Sequence, residues 1–180
     1  MKHTINKIIV VFLVLVSVCF VSCEKQDNEK DWGYAKIYMP QAISTYNVTY
    51  AKTSNFTIDS VNNKINIHLG IIRSATQEAK AFTVELSTNN DTINSLINNK
   101  ILTNTQLLPA ECYSLPTTIT VPDGKTETTF YLAVDKGKLI TFAGKNVAVA
   151  VRISNPSLYE LNTALSTTII NISANSFLNK

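Results

Sequence analysis

Few residues of this sequence have side chains suited to nucleophilic or acid–base catalysis. A cysteine becomes a nucleophile when a nearby imidazole takes its proton, and beyond residue 23 the sequence offers one residue of each type, Cys112 and His68. His68 falls on the outward face of a predicted strand, and nothing in the spacing brings it to Cys112. A solvated histidine and a buried, inert cysteine are the more usual states of such residues.

Paired carboxylates are another route to hydrolysis, one acting as acid and the other as base or nucleophile. Five glutamates could approach one another, but no spacing selects two of them for these roles: Glu78, Glu85, Glu111, Glu127 and Glu160. A metal centre would need three or four ligands from a chain that is poor in histidine and cysteine. The sequence therefore predicts a protein that is not an enzyme, with no catalytic residue, metal or cofactor.

Aromatic side chains are better candidates for a function, because an exposed ring can stack on the apolar face of a sugar beside a few amides and acids. Five rings form the candidate ligand-binding set: Trp32, Tyr34, Tyr46, Tyr113 and Tyr159. Packing in an edge strand or in the core is the alternative for each ring, since aromatic residues fit strands well. Trp32 is the ring that packing explains least.

The first 22 residues predict an export signal rather than a part of the fold. Lys2 and Lys7 are basic, and the run from 8 to 21 is apolar except for one serine, as in a signal peptide. The run is too short for a permanent membrane span, which needs roughly 20 residues. Val21-Ser22-Cys23 resembles a lipobox, so we expect cleavage before Cys23 and lipidation of that cysteine. Ordinary secretion or an uncleaved anchor is the alternative.

Composition limits the possibilities for the chain beyond the predicted signal. Residues 23–32 hold the lipidated cysteine and a polar tether with four acids, too hydrophilic to bury. Removing the first 22 of the 180 residues leaves 158, which suits a single domain over 33–180. Loss of Lys2 and Lys7 lowers the formal net charge from +3 to +1, and the remaining basic residues are scattered. A nucleic-acid partner is therefore not expected.

Alternating apolar and polar residues predict strands with one buried face. The clearest examples lie at 65–71, 82–86, 130–134 and 147–153, and shorter ones at 119–121 and 170–172. Edge strands are expected at 34–39 and 46–58. Pro122-Asp123-Gly124 has the composition of a hairpin turn.

One segment departs from this rhythm. Four apolar residues, Ile93, Leu96, Ile97 and Ile101, come after Asn90-Asp91 at helical spacing. We expect a short crossover helix there. Strands at such spacings with one helix favour an all-β, two-sheet antiparallel sandwich.

Three segments carry a resemblance to a known family. They are Leu-Leu-Pro-Ala-Glu-Cys-Tyr-Ser-Leu-Pro at 107–116, Ile-Thr-Val-Pro-Asp-Gly-Lys at 119–125, and the strand from 147 to 154 with Asn155-Pro156 after it. Together they resemble domain of unknown function 1735, over nearly the whole chain after the lipobox. The resemblance implies a Bacteroidota surface lipoprotein with an immunoglobulin-like sandwich of about seven to eight strands.

The resemblance also implies a setting. Proteins of that family commonly carry a second module, lectin-like, discoidin-like or of glycoside hydrolase family 18, and many belong to polysaccharide-use systems. Here residues 173–180 are expected to be a short tail, so no activity from a second module is expected. The acidic tether resembles the signal that sends such lipoproteins to the outer face of the outer membrane.

The predicted function is therefore a non-catalytic, cell-surface lipoprotein of the outer membrane whose sandwich captures an extracellular ligand, with a glycan as the leading choice. The alternative is an adhesin-like or structural component that pairs a strand edge with an outer-membrane protein. Asp59-Ser60-Val61 and Asp91-Thr92-Ile93 resemble an O-glycan acceptor triplet, which makes Ser60 and Thr92 candidate modification sites. Chance matches, or a helix cap at Thr92, are the alternative.

Overall fold

Two β-sheets make up most of the computed structural model, which describes residues 34–43, 48–49, 55–75 and 78–178. The predictions for the export signal, Cys23, the tether, Trp32 and Tyr46 lie outside the described residues. No helix within these ranges is long and apolar enough to cross a membrane.

Twelve strands are present in the described part of the chain. In chain order they are β1 Lys36–Tyr38, β2 Val48–Thr49, β3 Phe56–Asp59, β4 Lys64–Arg73, β5 Phe82–Thr88, β6 Thr105–Leu107, β7 Tyr113–Ser114, β8 Thr118–Val121, β9 Glu127–Asp135, β10 Asn146–Ser154, β11 Glu160–Leu161 and β12 Thr167–Ser173. Sheet A has the order β11-β1-β4-β9-β7, with β3 also paired to β4. Sheet B has the order β2-β12-β10-β5-β8, with β6 also paired to β10.

The predicted all-β sandwich is confirmed, and its strand count is higher than the seven to eight expected. The strands that the pattern missed, β6, β7 and β11, are two or three residues long, too short to show alternation. The predicted strand at 46–58 contains two described strands, β2 and β3. The long strands pair antiparallel as expected, whereas β11, β6 and β2 pair parallel to their neighbours.

The core lies between the two sheets and is built from the predicted alternating faces. In sheet A, Ile65 pairs with Val134 and Ile67 with Leu132, and all four side chains are buried. In sheet B, the valines of β10 point inward in the same way. Because successive residues of a strand face opposite sides, each buried row fixes a second, outward row of side chains.

The predicted helix is confirmed as α1, Asn90–Asn98. Its cap is Asn89, one residue before the pair expected from the sequence, and the Asn89 side chain accepts from the Thr92 N–H at 3.1 Å. The helix connects β5 to β6, which both pair with β10. Ile93 and Leu96 pack against the small side chains of Ala148 and Ala150 on the outer face of β10.

One connection and the segment after β12 differ from the sequence prediction. Pro122-Asp123-Gly124 does form a turn, with Gly124 at φ +71°, but it joins β8 of sheet B to β9 of sheet A. It is therefore a corner between sheets rather than a hairpin. The prediction of a tail over residues 173–180 is also wrong in part. Ala174 lies just before the short helix α2 (Asn175–Leu178), Phe177 lies within it, and both side chains are buried.

Candidate functional site

Three rings of the predicted ligand-binding set lie in the described residues, and they differ in exposure. Tyr34, just before β1, is 89% exposed. Tyr113, on β7, is half-buried against the core, and its hydroxyl donates to Thr88 Oγ1 at 3.2 Å. Tyr159 is also half-buried against the core. None of the three rings lines either of the two pockets described below.

The contacts of Tyr159 are those of a packed residue. Its ring meets Phe82 edge-on at 5.5 Å between centroids, and the guanidinium of Arg73 lies 5.1 Å from the ring centroid. The Lys80 N–H donates to the Tyr159 hydroxyl at 2.9 Å. These contacts fit the packing alternative that the sequence left open for this ring.

The outer face of sheet A presents a different aromatic pair. His68 on β4 lies directly opposite Tyr131 on β9, and their rings meet edge-on with centroids 4.7 Å apart. Tyr131 is 47% exposed, and Thr57 Oγ1 lies 3.2 Å from His68 Nε2. We call His68 and Tyr131 the aromatic platform.

A shallow pocket adjoins the aromatic platform on the same face. Gly70 pairs with Thr129 and Ile72 with Glu127, each one outward step further along the two strands. These residues line a pocket of about 370 Å³ together with Pro40, Gln41 and Thr128. We call it the Gln41 pocket, and the pocket and platform together the sheet-A site.

Gly70 allows a 3-10 turn, Pro40–Ile43, to lie against this face. A Cβ atom at residue 70 would be 3.2 Å from Pro40 Cγ, tighter than an ordinary contact. The same turn presents Gln41, whose Oε1 accepts from the Gly70 N–H at 3.2 Å. The oriented Gln41 amide, the Thr129 hydroxyl and, further along β9, the Glu127 carboxylate therefore lie on the same outer face as the exposed Tyr131.

Tyr131 is not in the set predicted from the sequence, which holds rings in or beside loops and at the start of the fold. The signal was present: Phe130 and Leu132 are the inward residues of β9, so Tyr131 must face outward. Antiparallel pairing with β4 then sets it against the outward His68. The register between β4 and β9, which pairs Tyr131 with His68, could not be obtained from the sequence.

The two residues considered for nucleophilic chemistry lie on opposite sides of sheet A. Cys112 belongs to the core cluster, whereas His68 lies on the outer face. Burial raises the pKa of the Cys112 thiol, and the neighbouring Glu111 adds to the effect. The thiol is therefore held in its protonated, weakly nucleophilic form. No group of three or more His, Cys, Asp or Glu within the described ranges could hold a metal ion.

We expect Cys112 to resist thiol reagents in the folded protein at neutral pH and to react when the protein unfolds. A raised pKa leaves little thiolate, and the buried sulfur is shielded from reagent. The measurement is the rate of labelling by a chromogenic disulfide reagent with and without urea, on a variant with Cys19 and Cys23 replaced by serine. Fast labelling without urea would show an accessible thiol.

The candidate modification sites sit in different surroundings. Ser60 is exposed in the turn between β3 and β4, where hydrogen bonds from the Asn62 side chain and backbone hold the pKa of Asp59 below its usual value. Thr92 is half-buried in the first turn of α1. Modification of Ser60 and Thr92 stays a prediction.

Comparison with known proteins identifies the family. A family model that describes an N-terminal domain matches residues 32–160. A solved multidomain protein from Bacteroides ovatus that includes DUF1735 is similar in fold, with a TM-score of 0.51 and 11% identity, over 78% of this chain and 45% of that one. This chain belongs to the DUF1735 family. The resemblance drawn from residues 107–156 is thereby confirmed.

Other solved structures share the fold of this DUF1735 chain. One is described as a candidate carbohydrate-binding protein from Bacteroides ovatus, with a TM-score of 0.53, 17% identity and coverage of 77% of this chain and 36% of that one. A second, a Bacteroides ovatus protein of unknown function, has a TM-score of 0.51 and 17% identity over 76% and 43%. The chain thus spans less than half of each, and such identities show the fold alone. No curated protein matches.

Proposed function

We propose that this DUF1735 sandwich is a non-catalytic module that binds an extracellular glycan through the sheet-A site. The observation that carries the proposal is one outer sheet face on which the exposed Tyr131 is followed, along the same two strands, by a pocket that holds an amide, a hydroxyl and a carboxylate. Sugar sites combine an aromatic surface with a few polar groups of this kind. The structural likeness to a candidate carbohydrate-binding protein supports the same class of ligand.

The sheet-A site suits binding because most of its groups stand on long strands. Tyr131 and Thr129 belong to β9, which pairs with β4 along its length, so their backbone positions are fixed before a ligand arrives. The Gln41 side chain is oriented by its bond to the Gly70 N–H. Groups that are already ordered lose little conformational entropy on binding. Tyr131 would stack on one sugar ring while Gln41 and Glu127 bond hydroxyls of a neighbouring unit of the same glycan chain.

The proposal includes the setting predicted from the sequence. Lipidation of Cys23 would anchor the chain in the outer membrane, and the polar residues 24–31 would let the sandwich reach ligands at the cell surface. In this arrangement the module serves a polysaccharide-use system, with a polysaccharide and outer-membrane proteins as its partners. The exposed Tyr34, at the start of the described sandwich, would then be a second aromatic contact.

The alternative function is pairing of a strand edge with a protein partner, and β8 is an edge strand at which such pairing would occur. β8 is the last strand of sheet B and pairs with β5. It is four residues long and lies between Pro116 and Pro122. Short edge strands flanked by proline are typical of edges that resist pairing, so the glycan proposal is preferred.

Replacing Tyr131 by alanine is expected to weaken glycan binding roughly tenfold, or about 1.4 kcal/mol. The reason is loss of the one ring of the site that is large and exposed. The measurement is retardation of the purified protein in native gels that contain each of a panel of neutral plant and host polysaccharides. His68→Ala is expected to weaken binding less, because His68 contacts the edge of Tyr131 rather than forming the exposed surface.

Ile140→Ala is the matched control, since Ile140 is exposed and outside the sheet-A site. Loss of binding in Tyr34→Ala with no change in Tyr131→Ala would move the site to the start of β1. Absence of retardation on every polysaccharide would reject the glycan proposal and favour a protein partner, which cross-linking on intact cells would then detect.

A further inference from the structure

A second pocket lies where α1 ends and β6 begins. Its volume is about 430 Å³, and it is lined by residues of the segment 97–106 together with Lys145. Five of the lining side chains form its polar, exposed rim: Lys100, Thr103, Asn104, Gln106 and Lys145. Ile97 and the buried Leu102 give it an apolar wall. It is separate from the sheet-A site, because its strand belongs to sheet B.

The charges of this pocket have one sign. Lys100 and Lys145 are its charged residues, and no carboxylate lines it. Neither lysine forms an ion pair with any residue that the structure describes. A cleft lined by charges of one sign raises the local concentration of counter-ions and of charged ligands. The pocket is therefore positive in a protein whose overall charge is small.

The backbone conformation of Lys100 is an observation independent of the charge, and it is one that lysine rarely adopts. The Lys100 N–H bonds Ile97 O, and the Ile101 N–H bonds Leu96 O, which is the Schellman arrangement at a helix end. In this motif the residue at the place of Lys100 takes a left-handed conformation and is usually glycine. Lys100 has φ +57°. The chain thus keeps a lysine where glycine would fit the backbone better, and the lysine lines the pocket.

We propose that this pocket binds the acidic group, carboxylate or sulfate, of an acidic polysaccharide. Lys100 and Lys145 supply the charge, Thr103 and Gln106 bond the neighbouring hydroxyls, and Ile97 packs against the sugar. The choice of a polysaccharide rests on the proposed function, whereas the anionic group is inferred from the pocket itself. The pocket would act as a second contact that selects acidic chains among those that reach the sheet-A site.

A structural role for Lys100 makes a different prediction. A cation just after a helix can offset the negative end of the helix dipole, and in that case Lys100→Gly would destabilise the protein. If Lys100 is kept for binding, Lys100→Gly relieves the left-handed strain, and the protein unfolds at the same or a higher urea concentration. The two roles are separated by a urea titration monitored by tryptophan or tyrosine fluorescence.

The binding experiment uses the purified protein with dextran, dextran sulfate and polygalacturonate in affinity gels. Dextran and dextran sulfate share a backbone, so their difference reports the sulfate, and polygalacturonate reports a carboxylate. We expect at least one acidic polymer to bind tenfold or more tightly than dextran. Lys100→Gly and Lys145→Gln are each expected to lower that affinity about fivefold, and the double variant to abolish the preference. Lys145→Arg should retain it.

Lys125→Gln is the matched control, because it removes the same charge from an exposed turn outside the pocket. A loss with Lys125→Gln equal to that with Lys145→Gln would show attraction by net charge alone and would overturn the inference. Equal binding of acidic and neutral polymers would overturn it as well. If Tyr131→Ala leaves acidic binding intact while the lysine variants remove it, the pocket stands and the sheet-A proposal fails.

Discussion

Phe177→Ala is expected to lower the free energy of unfolding by about 3–5 kcal/mol. Phe177 lies in the short helix α2 and is 0% exposed. Its ring meets Phe56 of β3 edge-on at 5.0 Å between centroids, and it belongs to the core cluster between the sheets. Removing the ring leaves a cavity that the well-packed surroundings fill only in part, which adds to the lost hydrophobic transfer energy.

The measurement is the urea midpoint and slope for the protein, Phe177→Ala and Phe177→Leu. Leucine keeps part of the apolar volume and is expected to recover about half of the loss. Ser176→Ala, in the same helix and partly exposed, controls for changes to the helix itself. A double-mutant cycle with Phe56→Ala would isolate the ring pair, worth about 0.5–1.5 kcal/mol. If Phe177→Ala lowers the free energy of unfolding by less than about 1 kcal/mol, the Phe177 ring is not packed in the core.

The long strands could be predicted because alternation is a direct consequence of strand geometry. In β4 the residues Ile65, Ile67, Leu69 and Ile71 are buried in the core, and the same two-residue repeat recurs in β9. In β10 the large apolar residues follow this repeat, while Ala148 and Ala150 between them are buried under α1. Helix α1 was equally visible, since Ile93 and Leu96 recur at the helical period. In each case the buried face is recorded in the local order of residues, and no knowledge of distant contacts is needed.

Phe177 and the corner at Pro122 show where local order stops being sufficient. Residues 173–180 contain one aromatic residue in a polar stretch, which has no period to detect, and its burial depends on β3, which is far away in the chain. The turn at Pro122-Asp123-Gly124 has the local chemistry of a hairpin. Whether the next strand pairs in the same sheet or crosses to the other depends on which sheet has an open edge.

The candidate sites show the same division. Tyr131 could have been placed on the outer face by alternation alone, but its neighbours Gln41 and Gly70 are 29 residues apart and meet only through folding. The second pocket is lined by Lys100, just after helix α1, and by Lys145, in the loop before β10. Neither lysine stood out in the sequence, because charged residues are expected at the surface and their grouping is set by tertiary contacts.

Tyr159→Ala is expected to lower the free energy of unfolding by about 2–4 kcal/mol, although the sequence placed this ring among the ligand contacts. Arg73 takes the next inward position after Ile71 on β4 and is 2% exposed. The Tyr159 ring lies beside its guanidinium and against Phe82. Removal of the ring takes away the cation–π contact with Arg73 and the aromatic contact with Phe82.

Two further variants divide this loss into its parts, each measured by urea unfolding. Tyr159→Phe keeps the ring and removes only the hydroxyl that accepts from the Lys80 N–H, so it should cost roughly 0.5–1 kcal/mol, because the exposed amide can bond water instead. Tyr159→Gly removes the ring but relieves the backbone at φ +67°, so it should be no less stable than Tyr159→Ala. If Tyr159→Ala instead keeps full stability and loses glycan binding, the ring serves the ligand and the packing role is refuted. Stability loss with unchanged binding would leave Tyr131 and Tyr34 as the rings proposed to contact sugar.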